Sequence, residues 1–155
     1  MVVYSKIHTV LPDGYAFVVM TGVASGIVNA WHMSQVMKAR KEHKIEYPAL
    51  YSPTNNDFNC VQRAHQNYLE NQPQFLMILF LGGLQYPKIS AAAGMIYLAG
   101  RVAYAIGYSS GDPKKRMRGG FGYIGMFALL GASISFAYHL GKASGFSGLC
   151  TPSQS

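Results

Sequence analysis

Three polar side chains open the second apolar stretch of the chain, and their types could bind a charged ligand. In residues 58–75, FNCVQRAHQNYLENQPQF, Arg63, Asn67 and Glu70 are spaced i, i+4 and i+7. On a helix this spacing puts a guanidinium, an amide and a carboxylate on one face. Charges entering a bilayer are costly, so they usually point to a bundle interior or a watery cavity. The face therefore predicts either a buried Arg63–Glu70 ion pair without a ligand or a polar binding site.

A second polar group lies in the third apolar stretch, ISAAAGMIYLAGRVAYAIGY. Arg101, Tyr104 and Tyr108 are spaced i, i+3 and i+7, so a guanidinium and two phenols share one helical face. This face favours a polar site with a cation and two hydroxyls. The competing interpretation is a pair of interfacial tyrosines with an arginine that extends to the membrane surface.

Long apolar segments must position these groups. Only 12% of the 155 residues are charged, against about 25% in ordinary soluble proteins. About 20 apolar residues cross the hydrocarbon core of a bilayer. The sequence thus predicts one all-α membrane domain over residues 1–155, a left-handed up-down four-helix bundle; a soluble helical bundle is the less favoured alternative. We expect spans near residues 15–37, 58–84, 89–108 and 119–140, and a flexible tail at 141–155.

The basic residues flank these segments in two groups. The groups are Lys38, Arg40, Lys41 and Lys44, then Lys114, Lys115, Arg116 and Arg118. A nucleic-acid interface needs a soluble basic face, so this placement argues against one. Four spans would put both groups on one side of the membrane, which the positive-inside rule assigns to the cytosol. The polar start of the second span and the Tyr108 end of the third would converge on that same face.

Metal and disulfide chemistry have no support in the sequence. The two cysteines, Cys60 and Cys150, cannot form a disulfide framework, and no Cys/His cluster has metal-ligand spacing. We therefore expect no metal. Cys150 is either acylated or an idle thiol.

The converging groups suit a small zwitterion with more negative than positive charge. Arginines take carboxylates in a bidentate way, and Glu70 can take an ammonium. No serine–histidine–carboxylate grouping is present. Any chemistry must then come largely from the bound molecule.

The motifs RAHQNYLE, GRVAYAIGY and KKR closely resemble the MAPEG family, the membrane-associated proteins in eicosanoid and glutathione metabolism. The resemblance covers nearly the whole chain. It implies a homotrimer in the endoplasmic reticulum membrane, with glutathione bound between neighbouring subunits. By the same resemblance, the glutathione contacts are Arg40, Arg63, His65, Asn67, Glu70, Tyr104 and Tyr108.

The resemblance also implies a catalytic arginine shortly after the second tyrosine. Arg116 is its best match, although the loop is one residue longer than in the leukotriene-synthase branch, so that Lys115 or Arg118 is an alternative. A second departure is Asn71, where that branch has a tyrosine beside the peptide pocket.

The implied activity is a membrane-bound glutathione transferase and peroxidase. An arginine near a thiol favours the thiolate, which is the nucleophile. Glutathione thiolate would attack a lipophilic electrophile, including leukotriene-type epoxides, or a lipid hydroperoxide. The rival interpretations are a non-enzymatic lipid-binding accessory protein of the same fold and a purely structural four-span protein.

Overall fold

The computed structural model describes residues 10–145, which form helices and connecting loops without a strand. The four α-helices are α1 (Tyr15–Glu42), α2 (Asn56–Gly83), α3 (Pro87–Tyr108) and α4 (Gly122–Ala143), with a 3₁₀ helix (Pro113–Gly119) between α3 and α4. The predicted all-α class is confirmed for the described residues. The part of the predicted tail beyond residue 145, with Cys150, lies outside them.

Three of the helices are long and apolar enough to cross a membrane: α1, α3 and α4. These three fit an integral membrane protein. By the same measure α2 does not qualify, although it has 28 residues, because its first half is rich in amide and charged side chains. The second of the four predicted spans, residues 58–84, therefore stays a prediction.

The local sequence explains where α2 and α3 begin. The Asn55 side chain accepts a hydrogen bond of 2.8 Å from the backbone N–H of Phe58 and so caps α2. Asp57 lies in the first turn, where its charge suits the helix dipole. Pro87 occupies the start of α3, where a missing N–H costs nothing.

The core lies where α2 and α3 pack against each other and against their neighbours. Phe75 of α2 stacks on Tyr97 of α3 with 4.7 Å between ring centroids. Leu79 and Leu129 are fully buried beside them. For helices that cross a membrane, lipid is as apolar as the side chains of the core, so such helices are held together by close packing rather than by a hydrophobic driving force.

A row of glycines, which we call the glycine seam, lets the 3₁₀ helix and the start of α4 approach α3 closely. Its members are Gly100, Gly107, Gly119, Gly122 and Gly125. A Cβ atom on Gly107 would lie 2.8 Å from the carbonyl carbon of Lys115, and one on Gly119 would lie 2.7 Å from the backbone nitrogen of Tyr104. The seam thus presses the 3₁₀ helix, which carries the basic KKR motif, onto the last turns of α3.

Candidate functional site

A cavity of about 360 Å³ lies where α2, the second half of α3, the 3₁₀ helix and the start of α4 meet. Its lining residues are Asn67, Tyr97, Arg101, Tyr104, Arg116, Met117, Gly119, Gly120, Gly122 and Tyr123. Two guanidiniums face this space, and none of the lining residues is a carboxylate. The cavity is therefore suited to an anionic ligand.

Arg101 links α3 to α2 at the wall of this cavity. Its Nη2 donates a hydrogen bond of 2.6 Å to Oδ1 of Asn67, and its Cζ lies 4.6 Å from the centroid of the Tyr104 ring. The residue is only 6% exposed. The guanidinium is thus buried against α2 and does not extend outward from the helices, as the competing interpretation would require.

Tyr104, Tyr108 and Arg116 form a chain of contacts from α3 to the 3₁₀ helix. The two tyrosine rings meet edge to face at 5.7 Å, and Cζ of Arg116 lies 6.0 Å from the centroid of the Tyr108 ring. Lys115 points its ammonium toward the Asp112 carboxylate at 4.0 Å. Among the three basic candidates, Arg116 is the one that lines the cavity.

Arg63 and Glu70 form an ion pair on α2. Arg63 Nη1 donates to Glu70 Oε1 at 2.9 Å, and Nη2 donates to Oε2 at 3.4 Å. Each side chain is 43% exposed, and neither lines the cavity. The predicted Arg63–Glu70 contact is present, but the pair is exposed rather than buried, because it lies on the outer face of α2 in this chain. Both groups are therefore reachable from the surface of the chain.

Two other predicted site residues hold the protein's own structure. Arg40 is buried, and its guanidinium donates to the backbone carbonyls of Ile45 and Ala49 in the α1–α2 loop. Nε2 of His65 lies 3.2 Å from Oδ1 of Asn29 on α1. Neither residue lines the cavity of the same chain, so their predicted contacts with a peptide ligand stay predictions.

The sequence motifs missed Tyr97, Met117 and Tyr123 as parts of the cavity wall. Tyr97 could have been found, because it precedes Arg101 by four residues and so shares its helical face. Met117 and Tyr123 reach the cavity only because the glycine seam brings their segments onto α3. In residues 10–145 no group of three potential metal ligands occurs.

Known proteins of one family match this chain over most of its length. The sequence profile of the MAPEG family matches residues 18–138. "Microsomal glutathione S-transferase 2" of Homo sapiens is 33% identical over 114 residues, which are 71% of this chain and 76% of the relative. "Leukotriene C4 synthase" of Cavia porcellus is 34% identical over 100 residues, which are 64% of this chain and 65% of the relative.

Within the family, the sequence motifs around Asn67 and Tyr104 predict a likeness to microsomal glutathione S-transferase 3. The relatives reported above are a microsomal glutathione S-transferase 2 and a leukotriene C4 synthase, so this narrower assignment stays a prediction. The family itself is shown by the length of the match and by two kinds of relative above 30% identity. The chain therefore belongs to the MAPEG family.

Proposed function

We propose that the protein is a membrane-bound glutathione transferase and peroxidase. It conjugates glutathione to lipophilic electrophiles, including leukotriene-type epoxides, and reduces lipid hydroperoxides. The names of the relatives, a glutathione S-transferase and a leukotriene C4 synthase, support the transferase activity. The peroxidase activity follows from the same nucleophile acting on a different electrophile.

The observation that carries this proposal is the donor-rich cavity. Arg101 and Arg116 supply positive charge, Tyr104 supplies a hydroxyl, and no carboxylate lines the wall. Glutathione carries two carboxylates and a thiol, so it suits a site made of cations and hydrogen-bond donors. Its ammonium needs a carboxylate, and in this proposal Glu70, which follows Asn67 by three residues on α2, supplies it in place of its present pairing with Arg63.

Arg116 stabilises the thiolate in this proposal. A free thiol with a pKa near 8.5 is mostly protonated at neutral pH, and an adjacent guanidinium shifts it toward the thiolate. In conjugation, the sulfur lone pair forms a carbon–sulfur bond while the carbon–oxygen bond of an epoxide breaks, and the alkoxide takes a proton. In peroxide reduction, the thiolate sulfur attacks the terminal peroxide oxygen, the oxygen–oxygen bond breaks, and the lipid alkoxide leaves and takes a proton to become an alcohol. The glutathione sulfenic acid that remains is attacked at sulfur by a second glutathione thiol, which forms the disulfide and releases water.

The cavity's position suits a substrate that arrives through the bilayer. Met117 and Tyr123 form its apolar wall, and both side chains are more than half exposed at the surface of the chain. An apolar electrophile therefore has a path from the membrane to the thiol. This path is the reason that we assign lipophilic rather than polar electrophiles.

We further propose that α2 is a fourth span and that the chain forms an up-down four-helix bundle which assembles as a homotrimer in the endoplasmic reticulum membrane. The basic α1–α2 and α3–α4 loops would face the cytosol. The exposed Arg63–Glu70 pair supports a glutathione site between subunits. Arg40 and His65 would contact glutathione there only by exchanging their present hydrogen bonds, to the α1–α2 loop and to Asn29, for bonds to the peptide.

The second candidate function is a non-enzymatic lipid-binding accessory protein of the same fold. It predicts lipid binding without glutathione binding. The presence of Arg116 in the cavity wall favours the enzyme, because lipid presentation does not need a group that stabilises a thiolate.

The test combines calorimetry with the ultraviolet absorbance of the thiolate, both on the detergent-purified protein. We expect glutathione to bind and to show a thiolate signal, which Arg116→Ala abolishes. Lys114→Ala is the matched control, since Lys114 is an exposed cation of the same segment that does not line the cavity. Lys115→Ala and Arg118→Ala test the alternative cations. Absence of glutathione binding by the wild-type protein would refute the enzymatic proposal.

Turnover identifies the substrates. A leukotriene epoxide and a fatty-acid hydroperoxide, each supplied with glutathione, separate transferase from peroxidase activity. If the protein turned over the epoxide but not the hydroperoxide, the peroxidase part of the proposal would be wrong and the transferase part would stand.

A further inference from the structure

The orientation of the Asn67 amide determines what kind of atom this residue offers to a ligand. Arginine has only hydrogen-bond donors, so the group that faces it must be an acceptor. Arg101 Nη2 lies 2.6 Å from Oδ1 of Asn67. The amide oxygen is therefore occupied, and the Nδ2 group is left for the cavity.

Arg101 is held firmly enough to fix that orientation. It is 6% exposed and packs over the Tyr104 ring at 4.6 Å. Its Nε is buried without a hydrogen-bond partner in the described part of the chain, and no carboxylate there pairs with its charge. A buried, unpaired cation makes the Asn67 oxygen a far better neighbour than the Asn67 N–H groups.

We propose that Arg101 is a positioning residue that turns Asn67 so that Nδ2 donates to an acceptor on the ligand. Asn67 Nδ2 and the Arg116 guanidinium then both present hydrogen-bond donors to the cavity. Beside Asn67, the wall therefore binds a carboxylate in preference to an ammonium or an amide N–H. This inference rests on the proposed glutathione binding and concerns how one part of the peptide is recognised.

The decisive variant is Asn67→Asp. An aspartate keeps an oxygen for Arg101 and converts the hydrogen bond into an ion pair, so the fold should be retained. It also replaces the donor by an acceptor that repels a carboxylate. We expect glutathione affinity to fall by about tenfold or more, the effect of losing one charge-assisted hydrogen bond. The thermal midpoint should stay the same or rise.

A control separates this effect from added charge in general. Asn56→Asp makes the same amide-to-carboxylate change in the exposed first turn of α2, away from the cavity. It should leave glutathione affinity unchanged. The protein is the full chain in detergent, and the probe is glutathione itself.

A double-mutant cycle tests whether Arg101 acts through Asn67. Arg101→Gln should raise the KM for glutathione with little change in kcat at saturating glutathione, and Arg101→Lys should restore part of the loss. Adding Arg101→Gln to Asn67→Ala should cause a smaller loss than Arg101→Gln causes in the wild-type protein, because the group that Arg101 positions is already gone and only its charge at the cavity wall is removed. Fully additive losses would overturn the positioning role.

The outcomes distinguish this inference from the proposed function. If the wild-type protein binds no glutathione, the proposed function and the inference about Asn67 are both wrong. If it binds glutathione and Asn67→Asp binds equally well, the proposed function stands and the orientation of Asn67 is wrong. The inference is supported if glutathione affinity falls in Asn67→Asp, stays constant in Asn56→Asp, and shows non-additive losses in the double-mutant cycle.

Discussion

Replacing Gly107 by alanine tests the link between the glycine seam and catalysis. A Cβ atom there would lie 2.8 Å from the carbonyl carbon of Lys115, and it would approach the carbonyl oxygen more closely still. Ordinary contacts begin at 3.4 Å, so the two backbones must separate by more than half an ångström. Because the atoms in the way are backbone, no side chain can rotate to relieve the clash. The 3₁₀ helix, with Arg116, must move away from α3.

Two opposing effects decide the size of the change in stability. Alanine is a better helix former than glycine by about 1 kcal/mol, whereas overpacking costs about 1–3 kcal/mol. We therefore expect Gly107→Ala to lower the free energy of unfolding by up to about 2 kcal/mol. Catalysis should suffer more, since a misplacement of about 1 Å can reduce a rate by about a hundredfold.

The matched controls are Gly26→Ala in α1 and Gly131→Ala in α4, where an added Cβ atom meets nothing within 4 Å. Each should leave turnover unchanged and stabilise its helix by about 0.5–1 kcal/mol. The measurements are thermal unfolding in detergent and glutathione-dependent turnover at saturating glutathione. If Gly107→Ala matched the two controls in thermal unfolding and in turnover, the position of Arg116 would not depend on the close approach of the 3₁₀ helix to α3.

Three further changes separate binding groups from structural ones. Arg63→Ala should alter the free energy of unfolding by less than about 1 kcal/mol, since the Arg63–Glu70 pair is 43% exposed; calorimetry should show a clear loss of glutathione affinity, and unchanged affinity would contradict the predicted contact. Tyr68→Phe removes a buried hydrogen bond of 2.7 Å to the Ser25 carbonyl and should cost about 1–3 kcal/mol in thermal unfolding, while the KM for glutathione stays constant. Arg40→Ala leaves loop carbonyls without their donor, so the α1–α2 loop should be cut faster by protease; an unchanged cleavage rate would show that the arginine does not hold the loop.

The helices could be predicted because their signals are local. Apolar length alone finds α1, α3 and α4, and the loop residues around Pro113 mark the break between the last two. In α2 the local signal is mixed, because Arg63 and Glu70 interrupt what would otherwise be an apolar run. Its membrane status depends on what covers those charges, which hydropathy does not measure.

The cavity could be predicted only in part. Helical spacing groups Asn67 with its α2 neighbours, yet the structure joins it to Arg101 on α3. Spacing says which residues share a face, but it does not say which faces of two helices meet. The same limit applies to Arg116, whose position depends on glycines as far away as Gly100.

The burial of Arg101 also constrains any account of the site. A guanidinium enclosed by protein without a carboxylate is costly unless other groups compensate it. Within the described residues, the compensation is one amide oxygen and one aromatic face. Arg116 adds a second positive charge to the lining of the same cavity, which includes no carboxylate. An anion bound there would gain attraction from both guanidiniums, so ligand binding should stabilise the protein. A rise in thermal midpoint with glutathione, reduced in Arg116→Ala, would measure that attraction.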